Sequence, residues 1–390
     1  MNDRTVLISG AGIAGPTLAY WLARRGYRCT VVERAAALRS SGSPVDVRGR
    51  AVDVVERMGV MPRVRDAGTA VTELVFVDDR GRRAGRVVTQ RRGGGREVEL
   101  PRGDLAAILL EASRDHAEYV FHDAITALRE DGGGVEVEFE RGRPRRFDLV
   151  FGADGLHSAV RRLAFGPESS FVRPLGMFVA TVPLAGAVEP PHQVVMYNTP
   201  GRAVAVHPAR GRAIAAFMFR SAAAARGFDH RDAAQHKRLV AEAYADAGWR
   251  VPELLAHVRA SDDLYFDAVS RVRLASWSRG RVALLGDAAS CLSLFGDGSS
   301  LAIAGAFTLA EALAESPDDH ARAFREYEAR HRVLVDPKGR AFTTAAALLV
   351  PATRGGIAVR NLAMRLWALG GAGNVRRGAE RSPHMGGHAP

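Results

Sequence analysis

Over residues 4–34 the spacing of hydrophobic and polar positions changes twice. Val6, Leu7 and Ile8 form an unbroken apolar run, the pattern of a short parallel strand buried on both faces. Leu18, Ala19, Leu22 and Ala23 then recur at helical spacing, with Pro16 in the first turn and Gly26 placed to end the helix. Thr30, Val31 and Val32 are β-branched and return the chain to a strand. Between the first strand and the helix stand Gly10, Gly12 and Gly15, the G-x-G-x-x-G spacing. The first glycine permits a tight turn, the second lets backbone approach a pyrophosphate, and the third lets helix and strand pack closely. Glu33 follows Gly15 by 18 residues, near the ~20 expected of an acid that binds a ribose. Glycines alone are a weak signal, but strand, glycine turn, helix, strand and acid in this order predict a dinucleotide site over a plain βαβ unit.

Further on, residues 44–59 begin as a half-buried strand, Val45 and Val47 alternating with Asp46 and Arg48, and turn helical near Ala51. Residues 71–100 predict hairpins, with turns at Asp79–Gly81 and Arg91–Gly95. A helix is expected over 104–114 with Asp104 as its N-cap; Arg102 before it suits an anion contact or a solvated charge. Leu149–Phe151 reads as a buried strand ending in the turn Ala153-Asp154-Gly155, with Ser158, Val160 and Arg161 opening a helix. Such a turn sits where parallel sheets bind ligands, though Asp and Gly also suit it for local reasons. From 170 to 275 strand-like runs at 177–184, 193–197, 203–207, 213–219 and 264–274 enclose one amphipathic helix, 231–247. That pattern predicts an antiparallel sheet and a second domain. Val282–Leu285 is again a buried strand, closed by Gly286-Asp287, and a glycine loop leads to a helix near Ser299 that is apolar nearly all round. A buried helix that starts at a glycine loop directs its partial positive charge at a partner. Ser316 and Pro317 read as the cap and first position of the next helix, and Pro337 and Pro351 punctuate a helical C-terminal part with a polar tail from about Gly373.

Composition narrows the function classes. The 390 residues, 47% hydrophobic and 25% charged, suffice for two or three domains with full cores. Cys29 and Cys291 are the only cysteines, so neither a disulfide framework nor a zinc cluster is expected. The net charge of +11 comes almost entirely from arginine, Lys237 and Lys338 being the only lysines. Those arginines are spread through every segment, whereas a nucleic-acid binder concentrates them on one face. No run of ~18 apolar residues is present, and the first strand leaves no room for a signal peptide, so a cytoplasmic protein without membrane or nucleic-acid partners is expected.

Three separated motifs, GAGIAG with Glu33, Ala153-Asp154-Gly155, and Gly286-Asp287 with its glycine loop, together resemble the single-component FAD-dependent monooxygenases of the para-hydroxybenzoate hydroxylase type. The compact length is most similar to the tetracycline-inactivating and natural-product aromatic hydroxylases. The resemblance implies an α/β fold: a Rossmann-like FAD-binding domain (1–70, 100–168 and 276–335), an inserted antiparallel-sheet substrate domain (71–99 and 169–275), and C-terminal helices and tail (336–390). It implies FAD held by Gly10, Gly12, Ile13, Ala14 and Gly15, with Glu33 on the adenosine ribose and Arg34 beside the adenine end. Arg102 would reach the pyrophosphate or ribitol, Gly286 and Asp287 the ribitol hydroxyls, and Asp154 would support a turn serving FAD and the nicotinamide donor. Backbone N–H groups of Gly298, Ser299, Ser300 and Leu301 would face the flavin pyrimidine edge.

The activity so implied is hydroxylation of an aromatic or polycyclic small molecule by a monomer or homodimer, using NADPH or NADH and O2 through a flavin hydroperoxide. Phe295, Gln193, Met196, Phe217 and Phe219 are the candidate substrate contacts, each of which a strand or loop can equally turn into core. His207 and Tyr197 are candidates for assisting deprotonation or are structural; no catalytic base is assigned, and no metal is expected. Departures from the family pattern are Ser290 for His, Leu294 for Pro, Ser300 for Asn, and Asp297 for a neutral residue. Asp297 either caps the helix or opposes the negative charge of reduced flavin. An FAD oxidoreductase without oxygen insertion, or a flavin-retaining ligand-binding protein, would carry the same motifs.

Overall fold

The computed structural model describes residues 4–38, 42–88, 95–186, 188, 190–221, 227–291 and 297–364. The first βαβ unit forms as its periodicity requires. Strands Thr5–Ser9 and Arg28–Glu33 are parallel neighbours, joined by helix Ala14–Ala23, which is buried along nearly its whole length. They lie inside a six-stranded sheet ordered Ser278–Arg279, Val282–Leu284, Leu149–Gly152, Thr5–Ser9, Arg28–Glu33, Ala117–Phe121. All neighbours are parallel except the first pair. The strands ending at Ser9, Gly152 and Leu284 are adjacent, so the three glycine–acid turns emerge side by side at one edge of the sheet.

Helix Asp297–Glu315 runs against helix Ala14–Ala23 and is buried through most of its residues, as an all-apolar helix must be. It packs in turn on the long helix His320–Leu349. They meet tightly at Gly305, where a Cβ would lie 2.8 Å from Nε2 of the buried His331.

A second, seven-stranded sheet stands apart from the first. Its order is Tyr265–Val272, Val172–Pro183, Ile214–Arg220, Arg202–His207, Gln193–Thr199, Glu73–Val77, Arg83–Val88. One face carries Phe178, Val204, Phe217 and Phe219 and packs on helices Ala233–Ala243 and Val251–Ala260. The opposite face carries Met177, Met196, Met218 and Phe76 and is met by Ala346 and Val350 from the C-terminal part.

The strands between Val172 and Val272 pair antiparallel throughout, as expected, and Glu73–Val77 joins them as a parallel neighbour of Gln193–Thr199. Four local expectations are corrected. Helix Arg102–Ser113 begins directly after Pro101, which leaves Asp104 in the first turn instead of at the cap. Ser316 still donates its N–H to Ala312, closing the preceding helix, and Asp319 caps the next one by accepting from Arg322 N at 2.9 Å. Pro337 does not punctuate the C-terminal part but lies inside that helix, His320–Leu349. The stretch 231–247 holds the helix Ala233–Ala243, and Val251–Ala260 is a further helix. Among the described residues no helix is long and apolar enough to cross a membrane.

The Gly305–His331 contact yields a stability prediction. Alanine has the better helix propensity, by up to about 1 kcal/mol, but overpacking a buried ring costs about 1–3 kcal/mol. Gly305→Ala should therefore lower unfolding stability by about 1–2 kcal/mol. Urea denaturation should show a reduced midpoint with an unchanged slope; a raised midpoint would mean that the helices separate freely at this crossing.

Candidate active site

The site begins at the first turn. Gly10 has φ +106°, and a Cβ there would fall 2.5 Å from the Ala153 carbonyl oxygen and 2.9 Å from Asp154 Cα. A Cβ on Gly15 would run into the Gly10 carbonyl. Those two glycines are demanded by protein packing alone. Gly12 differs: the nearest atom to its imagined Cβ is the Arg102 guanidinium at 3.9 Å. No side chain caps the helix at Ile13, so its first N–H groups face the space above Gly12. Open backbone, a helix N-terminus and one guanidinium are the parts that fit a diphosphate. Glu33 stands at the end of the neighbouring strand and accepts from Ala11 N at 2.8 Å and Ala35 N at 2.9 Å; Arg34 beside it is exposed.

The second turn is held by Asp154. Its carboxylate accepts from Ser158 Oγ (2.5 Å), Ala159 N (2.8 Å), Val160 N (3.1 Å) and Ser9 Oγ (3.3 Å). Burial pushes this carboxyl up, and the hydrogen bonds oppose that shift. Asp154 thus satisfies the first two N–H groups of helix Ala159–Phe165, whose N-cap is Ser158, and ties it to the first strand. Arg161, fully buried, links this turn to the third by donating to Ala288 O (3.0 Å) and Leu156 O (2.5 Å).

The third turn brings in Asp287. Burial holds its carboxyl above the usual range, with Asp267 adding to the shift and Arg102 and the Cys291 thiol opposing it. Its Oδ1 lies 3.6 Å from where a Cβ on Gly298 would sit, at the start of helix Asp297–Glu315. A carboxylate so placed retains acceptor capacity that a chain of hydroxyl groups fills, so the residues present fit the ribitol of FAD as well as its diphosphate.

A short ribbon, Val45–Val47 paired with Val98–Leu100, flanks that helix start. The hydroxyls of Ser299 and Ser300 both donate to Asp46 O at 2.7 Å, and Ser300 Oγ accepts from Arg48 N at 3.0 Å. The Arg48 guanidinium pairs with Asp297 (Nε to Oδ1 2.5 Å) and reaches Asp46 Oδ2 at 3.4 Å. The Asp297 charge is therefore compensated, a partnership the sequence did not disclose. Burial pushes the Asp46 carboxyl up to about 6, against the pull of Arg48 and with the help of Glu99, Asp297 and Glu97.

The middle sheet sorts the expected substrate contacts by parity. Phe217 and Phe219 lie on the helix-packed face, edge-on to Tyr244 at 5.2 and 6.0 Å, and so point away from the cofactor turns. Tyr197 shares that face and packs on Trp249. Gln193 donates to Glu73 at 3.0 Å at the side of the sheet. Met196 lies on the other face, with Met177 and Met218. His207 Nδ1 accepts from Ala209 N at 3.0 Å while Nε2 faces Glu99 at 3.4 Å. Phe295 and Leu294 fall outside the described residues, and Ser290 ends the short helix Asp287–Ser290. Arg48, Asp46, His157, Glu168, Tyr265 and Asp267 escaped the sequence reading, since nothing local marks a lone polar residue in a strand or loop. Among the described residues no cluster could hold a metal.

Comparison with known proteins agrees with this geometry. Residues 3–333 match the family model described as FAD binding domain. An uncharacterised protein of Mycobacterium tuberculosis is 40% identical over 85% of this chain and 91% of its own length. A protein of Legionella longbeachae named flavin-dependent monooxygenase is 35% identical over 85% and 86% of the two chains. The crystal structure of the tetracycline destructase Tet(51) superposes with a TM-score of 0.82 at 30% identity, covering 93% of this chain and 95% of that one.

Asp287 should carry opposite effects on binding and on stability. A hydrogen bond to a charged group contributes about 1.5–3 kcal/mol, or roughly ten- to a hundredfold in affinity. Asp287→Ala should weaken FAD binding by that factor and leave the apoprotein equally or more stable, because a desolvated carboxylate is removed. Fluorescence titration with FAD and thermal melting of the apoprotein test both signs; unchanged affinity would make the third turn purely architectural.

Proposed function

The chain belongs to the FAD-binding family of flavin-dependent monooxygenases, and from that premise we propose that it hydroxylates an aromatic or polycyclic small molecule of natural-product type. The observation that carries the reading is the convergence of an open glycine cradle, the half-buried Asp287 and the start of helix Asp297–Glu315 on one edge of the parallel sheet. The likeness to a tetracycline destructase supports the polycyclic class.

In this reading the N–H groups of Gly12, Ile13, Ala14 and Gly15 and the Arg102 guanidinium hold the diphosphate, and Glu33 takes the adenosine ribose. Asp287 orients the ribitol, Asp154 keeps the second turn in place, and the start of helix Asp297–Glu315, at Gly298, Ser299, Ser300 and Leu301, presents its positive end to the pyrimidine edge. Bound there, FAD would supply hydride acceptance from a nicotinamide donor and activation of dioxygen. The balance is RH + O2 + NAD(P)H + H⁺ → ROH + H2O + NAD(P)⁺. The protein's part is to orient the electron-rich carbon, exclude water and stabilise developing negative charge.

Turnover under ¹⁸O2 tests the reaction class. One labelled atom in the product is expected; oxidised product without label would make the protein an oxidoreductase that inserts no oxygen.

The Arg48–Asp297 pair sets a second expectation, for the flavin potential. Two unit charges ~8 Å apart at an effective dielectric constant of ~20 interact by about 2 kcal/mol, and an ion pair largely cancels its own field. Asp297→Asn should therefore raise the two-electron potential by tens of millivolts, since about 30 mV corresponds to 1.4 kcal/mol. Arg48→Gln should lower it, and the double variant should return near the native value. Potentiometric titration of all four proteins reads this out; shifts of the same sign in both single variants would place the pair out of the flavin's reach.

A further inference from the structure

Two residues beyond the Ala153–Gly155 turn, His157 lies between two carboxylates. Its Nδ1 is 3.0 and 3.3 Å from the Glu168 oxygens, and its Nε2 is 3.2 and 3.3 Å from those of Asp267. Ionised carboxylates only accept hydrogen bonds, so both ring nitrogens must carry protons and the ring is an imidazolium. The His230 ring lies flat against it, 3.7 Å away at an interplanar angle of 8°. Two stacked cations would repel, and His230 is the neutral partner, its basicity lowered by burial and then by the His157 charge.

The surroundings of this cation give it reach. Asp267 belongs to strand Tyr265–Val272 of the middle sheet. Glu168 lies in the turn leading into that sheet and pairs with Arg161 at 3.4 Å. Arg161 holds both Leu156 O, in the second cofactor turn, and Ala288 O, in the third. One connected path thus runs Ala288, Arg161, Glu168, His157, Asp267. The charged groups facing it are Asp267 from the strand, Glu168 from the turn, Arg161 from helix Ala159–Phe165, and His230 and Arg231 from the segment before helix Ala233–Ala243. Behind Asp267 lie Asp287, Tyr265 and Arg102. While His157 is protonated, its charge and that of Arg161 balance Glu168 and Asp267. Without that proton, Asp267 is left uncompensated beside Asp287.

We infer that His157 is a positioning residue whose positive charge locks the second and third cofactor turns to the middle sheet, so that FAD binding weakens when the ring loses its proton. The inference rests on the assignment of those turns to FAD. Burial alone would push the imidazolium down, but the hydrogen bonds and charges of Asp267 and Glu168 outweigh it and hold His157 up at about 9. With the folded value raised above the ordinary 6.5, the stabilisation is complete below about pH 6.5 and is lost as pH rises through about 9.

FAD titration of the deflavinated protein from pH 6 to 10.5, followed by flavin fluorescence, tests this in the native chain, His157→Gln and Asp267→Asn. The native affinity should fall by about tenfold or more around pH 9. His157→Gln should bind more weakly at pH 7 and lack that step, and Asp267→Asn should move the step to lower pH because one of the two carboxylates is gone. Melting temperatures of the flavin-free proteins over the same range should show the same His157-dependent step. Loss of affinity in parallel for native and His157→Gln, or an unmoved step in Asp267→Asn, would overturn the inference. A native protein that binds no FAD at pH 7 would instead overturn the cofactor assignment, and this role with it.

Discussion

The contact on which the site depends is the approach of two backbone turns without side chains between them. Gly10 meets the Ala153 carbonyl and Asp154 Cα at distances that no Cβ allows, and Gly15 brings the first helix equally close to Gly10. This seam fixes where the parallel strands end relative to each other. Asp154 then converts proximity into attachment, since its hydrogen bonds reach the first strand through Ser9 and the next helix through Ala159 and Val160. The third turn joins by the same logic: a Cβ on Gly286 would lie 3.2 Å from that of Ala14, while Arg161 anchors the carbonyl of Ala288. The space left above Gly12 is a product of these constraints.

Charge is handled in two ways around that space. Asp154 and Asp287 are half-buried and held by hydrogen bonds or a single distant cation, and both carboxyls are pushed up by desolvation. Asp297 and Asp46, at the outer edge, share the Arg48 guanidinium. Inner carboxylates are thus preorganised for neutral hydroxyl donors, whereas the outer pair and its arginine shape the field at the helix start.

How far the sequence could be read depended on the range of the interaction concerned. Glycine spacing, apolar runs and the acid after the second strand are local, and they identified the βαβ unit, the three turns and the buried helix. The mixed second sheet was only half legible. Alternation marked its strands, but neither the parallel pairing of Gln193–Thr199 with Glu73–Val77 nor the parity that turns Phe217 away from the cofactor side is written in a single strand. The pairing of Arg48 with Asp297 joins residues 249 positions apart, and that of His157 with Asp267 joins residues 110 apart. Polar residues acquire such partners only once the fold exists. The capping error at Ser316 had a different origin: a good cap residue was present, but the preceding helix had already engaged its N–H.

The order of the middle sheet has a bearing on how the chain is made. Glu73–Val77 and Arg83–Val88 form the outer edge of that sheet, and their partner strand begins 120 residues later, at Gln193 opposite Glu73. At a synthesis rate of about 5–20 residues per second, a nascent chain carries this hairpin for roughly 6–24 s before the partner leaves the ribosome. A two-stranded hairpin is only marginally stable by itself, and its apolar Leu74 and Phe76 await Val194 and Met196 for cover. The two arginines of the outer strand, Arg83 and Arg86, are the kind of charge that keeps an exposed edge from pairing with another chain. The same residues that look like ordinary surface in the finished molecule thus protect the half-made one.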